Sequence, residues 1–341
     1  MLSAQHCIAS LPCAVCGNNQ TKIIAKKDRN GQPLTNVMCV NCGLVWVDPQ
    51  PTIECTEKFY SSEYRKQYKK AFQPKHKHCY REALRAIDRT TRFLSVYRDG
   101  MRVLDVGSGA GFFAYILQRM GILIDGIEPN EEYANYALSN LHLNTIRTGF
   151  LRDLTTENEY DLITINHVFE HLPNPREAML QIHKLLKKGG HVLMEIPNIE
   201  ATYHAPNKIF HVGHLYWYNP NTIRALALQL GFVIDDVQII NGTKHINIVL
   251  TKSDESPASE IEVNSLVAGN AENVSEVLQQ HTLLRHFLTP APYVRFLRKS
   301  HQYFKEQIYI KKFKNGKDIC DSVCNKLFSI QNPKYPGSGS E

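Results

Sequence analysis

No stretch of this 341-residue sequence approaches the roughly 18 consecutive apolar residues that a membrane-spanning helix requires. The opening residues, MLSAQHCIASLP, place no basic cluster ahead of their short apolar run, so a secretory leader is not expected. Net charge is also scarce, at +6, which excludes a uniformly basic or acidic protein. With 43% hydrophobic and 21% charged residues, the composition is that of an ordinary globular protein, expected to be cytoplasmic. Cysteine is the one residue in supply, with nine copies. In a chain read as cytoplasmic they suit metal or free thiols better than disulfides.

The charge is unevenly placed. Residues 251–280 carry six acids and one lysine, a net −5, and residues 281–330 carry ten Lys/Arg and three acids, a net +7. This predicts an acidic linker over 252–280 and a basic helical extension over 281–335. The last residues, PGSGSE (336–341), read as a linker-like tail outside the fold.

Cys13-Ala-Val-Cys16-Gly17 and Cys39-Val-Asn-Cys42-Gly43 form two CxxCG knuckles separated by 22 residues. Two residues between cysteines let both thiolates reach one ion, and the glycine relaxes the turn. Four thiolates fill a tetrahedral Zn²⁺ shell and leave no open position. The expectation is therefore one structural zinc bracing a ribbon over 1–55; a redox pair would need only one CxxC. Cys7, Cys55, Cys79, Cys320 and Cys324 show no such spacing and are expected to be free.

From residue 101 strand and helix signals alternate, the pattern of a parallel α/β sheet. A short buried strand, Arg102 to Val106, runs into Gly107-Ser-Gly109-Ala-Gly111 and then into the apolar helix FFAYILQRM. Alternate glycines let the backbone turn tightly and approach a ligand, with a helix N-terminus behind them. A second strand ends in Glu128, 23 residues after Asp105, where a carboxylate can accept from ribose hydroxyls. Residues 109–114 also read GxGxxA, a dinucleotide fingerprint. The strand-to-turn junction decides the frame: it gives DxGxGxG, in which position 112 is Phe and the dinucleotide pattern fails.

VLDVGSGAGFF, IDGIEPN, YDLITINHVFEHLPNP and LLKKGGHVLMEIPN, in this order over about 99–251, together resemble the class I S-adenosylmethionine-dependent methyltransferases. The CxxCG pair followed by GLVWVDPQPT and FYSSEY resembles a subgroup with an N-terminal zinc ribbon, whose members often act on sugars or other small metabolites, at oxygen or carbon. The resemblance implies a Rossmann-like sheet over 99–251 carrying S-adenosylmethionine, a helical connector or lid over 56–98, the zinc ribbon before it and the helical extension after it. It implies that Gly107, Gly109 and Gly111 lie along the methionine part of the cofactor. Asp105 would position that loop, Glu128 would hold the ribose, Pro129 would turn under the adenine, and Phe150 and Leu151 would flank the base. Asn166 and His167 would face the cofactor from the carboxyl edge of the sheet. Asn166-His-Val-Phe stands where amine methyltransferases of this class commonly carry Asn/Asp-Pro-Pro-aromatic, so that chemistry is disfavoured.

Methyl transfer from a sulfonium is an in-line displacement in which the protein supplies alignment and excludes water. A hydroxyl or enolisable carbon acceptor also needs a base, for which histidine is the usual group near neutral pH. Candidates are His171, in Glu170-His171-Leu172-Pro173, and His211 and His214 in HVGHLYWYNP, with His214 preferred. The Glu-His-Leu-Pro run is similar to one in ubiquinone-pathway O-methyltransferases, which carry ExxEH associated with a divalent cation. Here it reads HxxEH, which weighs against metal assistance. HVGHLYWYNP should emerge after the fifth strand, with Asn219-Pro220 starting the next helix. Tyr216, Trp217 and Tyr218, with Tyr64, would then wall the acceptor pocket; the segment Phe59 to Tyr64 is either a helix simply packed on the domain or a lid placing Tyr60 or Tyr64 over the cofactor.

Val294, Leu297, His301, Phe304 and Ile308 recur at helical spacing, with Arg295, Arg298, Lys299, Lys305 and Lys312 largely elsewhere. Such a helix packs on the core or on a second copy in a homodimer, or attaches to an anionic membrane surface or to RNA. The sequence reading is a methyltransferase acting on a hydroxyl, or an activated carbon, of a sugar nucleotide, glycan or related small metabolite. Its rivals are an RNA methyltransferase and a cofactor-binding module without turnover.

Overall fold

The computed structural model describes residues 7–8, 11–64, 73–240 and 244–331. The tail at 336–341 lies outside the described residues. The chain divides into two compact units, Met1–Lys58 with Leu154–Phe296, and Phe59–Asp153 with Leu297–Glu341, a division that falls inside the span 99–251.

In chain order, β1 (Cys7–Ile8), β2 (Thr21–Lys27), β3 (Pro33–Cys39), β4 (Val45–Val47) and β5 (Gln50–Pro51) lead into the short helix α1 (Ile53–Lys58). The second unit then holds α2 (His76–Val96), β6 (Val103–Val106), α3 (Phe112–Arg119), β7 (Ile124–Glu128), α4 (Glu131–Leu141) and β8 (Ile146–Thr148). The first unit resumes with β9 (Tyr160–Asn166), α5 (Pro175–Leu185), β10 (Leu186–Pro197), β11 (Tyr216–Trp217), α6 (Pro220–Leu228), β12 (Phe232–Ile240) and β13 (His245–Lys252). Five helices follow: α7 (Glu260–Val267), α8 (Asn270–Gln280), α9 (Leu283–Leu288), α10 (Ala291–Ile310) and α11 (Gly316–Gln331).

In the second unit β6, β7 and β8 are parallel neighbours, and β6 is buried along its whole length, as expected of a strand covered on both faces. In the first unit the order is β12-β13-β10-β9, with β9 parallel to β10 and β13 antiparallel to both its neighbours. Each unit carries the expected Rossmann-like α/β pattern, with a mixed sheet in the first. Asn219 caps α6 through a reciprocal box: its side chain accepts from the Thr222 N–H, and Thr222 Oγ1 accepts from the Asn219 N–H.

Two expectations are corrected. Residues 260–280 are not a linker but the helices α7 and α8, with Val263, Val267, Ala271 and Val274 buried. Their acids occupy first turns, Glu260 and Glu262 in α7 and Glu272 in α8, where the helix dipole favours negative charge. A charge count over the window reads amphipathic helices as a solvated run. The ribbon likewise does not end at residue 55: its sheet runs β11-β4-β3-β2, so Tyr216 and Trp217 supply its fourth strand.

Candidate active site

In the second unit, β6 delivers the chain into the glycine loop. Gly107, Gly109 and Gly111 all have positive φ, at 72°, 60° and 78°, a region that costs an L side chain energy. Glu128 organises the loop from the end of β7. Its Oε2 accepts the Gly109 N–H at 2.8 Å and its Oε1 accepts the Asn130 N–H at 3.1 Å. Glu128 and Asp105 are both buried. Gly111 answers to packing: a Cβ there would meet Leu143 Cδ1 at 2.6 Å and Ala137 Cβ at 2.8 Å. It lets α3 start against α4. Pro129 is half-buried beside Glu128. The Phe150 N–H donates to Asp153 Oδ2 at 2.8 Å, and Leu151 is buried beside it. Phe59, Tyr60 and Tyr64 form an aromatic trio with centroids 5.1–5.7 Å apart. The Ser61 carbonyl within this segment accepts from Asn130 Nδ2 at 2.7 Å, two residues beyond Glu128.

In the first unit, β9 ends at Asn166, and His167 follows with φ +56°, a left-handed conformation rare for a residue with a side chain. That turn brings His167, Glu170 and His171 together with the histidines of the 211–214 loop. Glu170 Oε1 lies 3.5 Å from His167 Nδ1, 3.8 Å from His171 Nε2 and 3.7 Å from His214 Nε2. Yet neither Glu170 oxygen has a hydrogen-bond partner within the protein, and neither do His214 Nδ1 and Tyr218 Oη. Buried polar atoms are normally paired, so these unpaired atoms mark the cluster as the candidate site. His171 is oriented: its Nδ1 donates to the Gly213 carbonyl, leaving the Nε2 lone pair directed away from the backbone.

The electrostatics differ from ring to ring. Burial opposes charge on His167, but Glu170 and Glu195 outweigh it and hold His167 above its ordinary value. Burial would raise the Glu170 carboxyl, but His171 and His167 hold it below the ordinary carboxylate range. Burial, with Arg29, His171 and His204, pushes His211 down to about 2. Burial, His211 and His171 hold His214 well below the ordinary histidine value. His211 Nδ1 accepts the Gly213 N–H at 3.2 Å, and the His211 and His214 rings lie 3.8 Å apart. Both therefore stay neutral. His214, the base preferred from sequence, is the poorer proton acceptor, because its conjugate acid is buried among other imidazoles.

Two members of the site were missed. Glu195 Oε1 pairs with His167 Nε2 at 2.9 Å and with His245 Nδ1 at 3.1 Å. The available signal was a lone acid inside the apolar strand HVLMEIPN, since buried carboxylates are rarely left without a partner.

The aromatics of HVGHLYWYNP are buried in packing contacts. Trp217 packs in an apolar cluster with Met38, Val45, Val47, Ile199 and Phe210. Tyr216 pairs with Trp46 across β11 and β4, and its hydroxyl donates to the Pro173 carbonyl at 3.3 Å. Tyr218 is fully buried against Phe169, with ring centroids 5.5 Å apart. The stretch alternates tasks: its histidines join the Glu170 cluster and its aromatics knit the ribbon to the domain.

The four knuckle cysteines converge, with their sulfurs all within 4.8 Å of one another. Cys13 and Cys42 sulfurs are 3.3 Å apart, and Cys16 and Cys39 sulfurs 3.4 Å apart. A tetrahedral Zn–S shell of about 2.3 Å radius needs sulfur edges of about 3.8 Å, so the set fits zinc with little adjustment. Interactions among the thiols hold Cys13 and Cys42 above and Cys16 and Cys39 below the ordinary thiol value, the mark of sulfurs too close to ionise together without a cation. Glu170, His171 and His214 form a second compact donor set, and His167, Glu195 and His245 a third.

Residues 76–237 match a family described as a methyltransferase domain. Among curated relatives, a ubiquinone biosynthesis O-methyltransferase from Proteus mirabilis is 32% identical over 110 residues, which is 29% of this chain and 43% of the relative. One from Vibrio cholerae is 33% identical over 105 residues, again 43% of the relative. The chain thus spans less than half the length of the curated relatives it matches. A solved structure of a magnesium protoporphyrin IX methyltransferase from Synechocystis, with S-adenosylhomocysteine bound, aligns at TM-score 0.48 and 14% identity, covering 59% of this chain and 100% of that one. The match over 76–237 is thus to a methyltransferase domain over just under half of the chain, and the parallel strands β6 and β7, the glycine loop and Glu128 all lie within it.

Proposed function

We propose that the chain transfers a methyl group from S-adenosylmethionine to a hydroxyl of a small acceptor, with His171 as general base and a structural zinc on Cys13, Cys16, Cys39 and Cys42. The observation that carries this reading is the buried Glu170 carboxylate, ringed by imidazoles yet without a hydrogen-bond partner in the chain. The Glu170 cluster follows β9, which runs parallel to β10, and carboxyl ends of parallel strands are where such sheets take their ligands. Oxygen is favoured over carbon by the O-methyltransferase relatives. The acceptor class, a sugar nucleotide, glycan or related metabolite, rests on the resemblance of the CxxCG-bearing chain to sugar-modifying enzymes.

S-adenosylmethionine supplies an electrophilic methyl on a sulfonium that leaves as a neutral thioether. The chain's part is the proton. The bond to the Gly213 carbonyl fixes the tautomer of His171, so that Nε2 takes the acceptor's hydroxyl proton as oxygen attacks the methyl carbon. The imidazolium then lies 3.8 Å from the ionised Glu170 carboxylate, which stabilises it. Neutral His214 adds no repelling charge. Glu128 keeps the glycine loop in its ligand-binding shape.

A turnover screen with labelled methyl donor across sugar nucleotides, other hydroxylated metabolites and RNA, with methyl positions determined, tests the reading. O-methylated small molecules support it, and methylated RNA bases would overturn the acceptor class. Cofactor binding without turnover of any acceptor would leave a binding module instead. One specific arrangement favours a second reading: donor atoms of Glu170, His171 and His214 lie within 4.8 Å of one another and suit a divalent cation. Activity that is lost to a chelator and restored by a divalent ion, with the cysteine-bound zinc retained throughout, would select it.

A further inference from the structure

Helix α10 is amphipathic in the inverted sense for a globular protein. Its inner side is held by polar contacts: Glu306, fully buried, takes both Arg81 Nε and Arg81 Nη2 at 2.6 Å, and Gln302 Nε2 at 2.6 Å. Tyr309 stacks on Tyr80 at 4.6 Å and donates to Ser322 Oγ at 2.8 Å. These contacts fix the rotation of the helix and leave its apolar stripe on the outside. Leu297, Phe304 and Ile308 are 67%, 66% and 67% exposed, and Tyr293 and Val294 lie on the same face. At about 100° per residue, Arg298 and Lys305 fall along one margin of that stripe. Residues 291–314 carry seven Lys/Arg against the single acid Glu306, which Arg81 neutralises.

We propose that this face lies on an anionic lipid bilayer, with the apolar stripe entering the headgroup–acyl boundary and the basic margin meeting the headgroups. A contiguous exposed apolar stripe needs a cover, and the basic margin says what kind. Two copies packed through this face would bring like charges together, which disfavours self-association. Nucleic acid would use the lysines and arginines but leave Leu297, Phe304 and Ile308 in water. A membrane interface satisfies both at once, with aromatic side chains at headgroup depth. Among the described residues no helix is long and apolar enough to cross a membrane, so the contact is one of lying on the surface.

Flotation of the full chain with vesicles tests this, comparing pure phosphatidylcholine with an equimolar mixture of phosphatidylcholine and phosphatidylglycerol. Binding is expected to the mixed vesicles only, and to weaken as salt is raised. Leu297→Glu with Phe304→Glu changes only exposed positions, so the fold should persist, checked by circular dichroism, while flotation is lost. Arg298→Gln with Lys305→Gln should weaken binding about tenfold or more, since each basic residue near such a surface contributes about fivefold. Absence of flotation with mixed vesicles, or flotation unchanged in the Leu297→Glu/Phe304→Glu variant, overturns the proposal. So does sedimentation showing a dimer that this variant dissociates, or RNA binding by a chain that ignores vesicles.

Discussion

Asn270 Nδ2 donates to the Cys42 carbonyl at 2.7 Å, joining the second cysteine knuckle to a helix 228 residues away. The Asn270 Oδ1 accepts in turn from Asn219 Nδ2 at 2.7 Å and from Asn221 Nδ2 at 3.1 Å, at the cap of α6. One buried amide therefore ties the ribbon, the end of the HVGHLYWYNP stretch and α8. Gly43 is part of the same joint, since a Cβ there would come within 3.0 Å of Asn270 Nδ2. The first knuckle is held similarly, with the Ala14 and Val15 carbonyls accepting from Arg176 and Gln229 at 3.1 and 2.8 Å.

Asn270→Ala should destabilise the protein by about 1–3 kcal/mol, the cost of leaving a buried partner such as the Cys42 carbonyl unpaired. Denaturant midpoints of variant and parent measure it. An unchanged midpoint would mean that the network adds nothing.

Removing the zinc should loosen the ribbon, and tryptophan fluorescence can follow it alone. The only two tryptophans, Trp46 and Trp217, sit in the neighbouring ribbon strands β4 and β11. Cys39→Ser should abolish stoichiometric zinc and shift the emission to the red. Normal emission in zinc-free protein would remove the structural role.

Trp217→Ala separates a packing role from an acceptor-wall role. With Trp217 3% exposed in the cluster around Val45 and Phe210, the loss should be about 3–5 kcal/mol of stability. A stable variant whose only defect is a raised acceptor KM would restore the pocket assignment.

Glu128→Ala removes the acceptor for the Gly109 and Asn130 N–H groups as well as the expected ribose contact. The dissociation constant for S-adenosylmethionine should rise about tenfold or more, since bonds to a charged group contribute about 1.5–3 kcal/mol each. Calorimetric titration giving the parental affinity would count against the assignment.

Stability should fall as the medium is acidified below about pH 6.5. His211, His214 and His245 have folded values depressed by burial, so the unfolded chain binds their protons first. Their contribution is complete above the unfolded value of 6.5 and is lost as pH falls below it. His211, at about 2 when folded, accounts for about 1.4 kcal/mol by about pH 5.5. His167 acts oppositely: its raised value contributes stability below 6.5 that is lost as pH rises through the folded value. Three depressed histidines should outweigh one raised. Urea midpoints at about pH 7.5 and 5.5 give the sign, and His211→Gln should flatten the slope.

Local pattern was enough to locate the glycine loop, Glu128, the cysteine knuckles and the Asn219 cap. Each depends on backbone geometry or ligand spacing over a few consecutive residues, which sequence order preserves. The roles within HVGHLYWYNP depended on partners far along the chain. Whether Trp217 faces an acceptor or Val45 is decided by strand pairing between residues 45–46 and 216–217, and no periodicity in ten residues encodes that. The same holds for Glu195, a single acid in an apolar strand until β10 sets it beside His167 and His245. The stripe on α10 was visible at helical spacing, but its direction was not, because a helix can bury either face. The Arg81–Glu306 pair decided that, by turning the Glu306 side inward and the apolar stripe out.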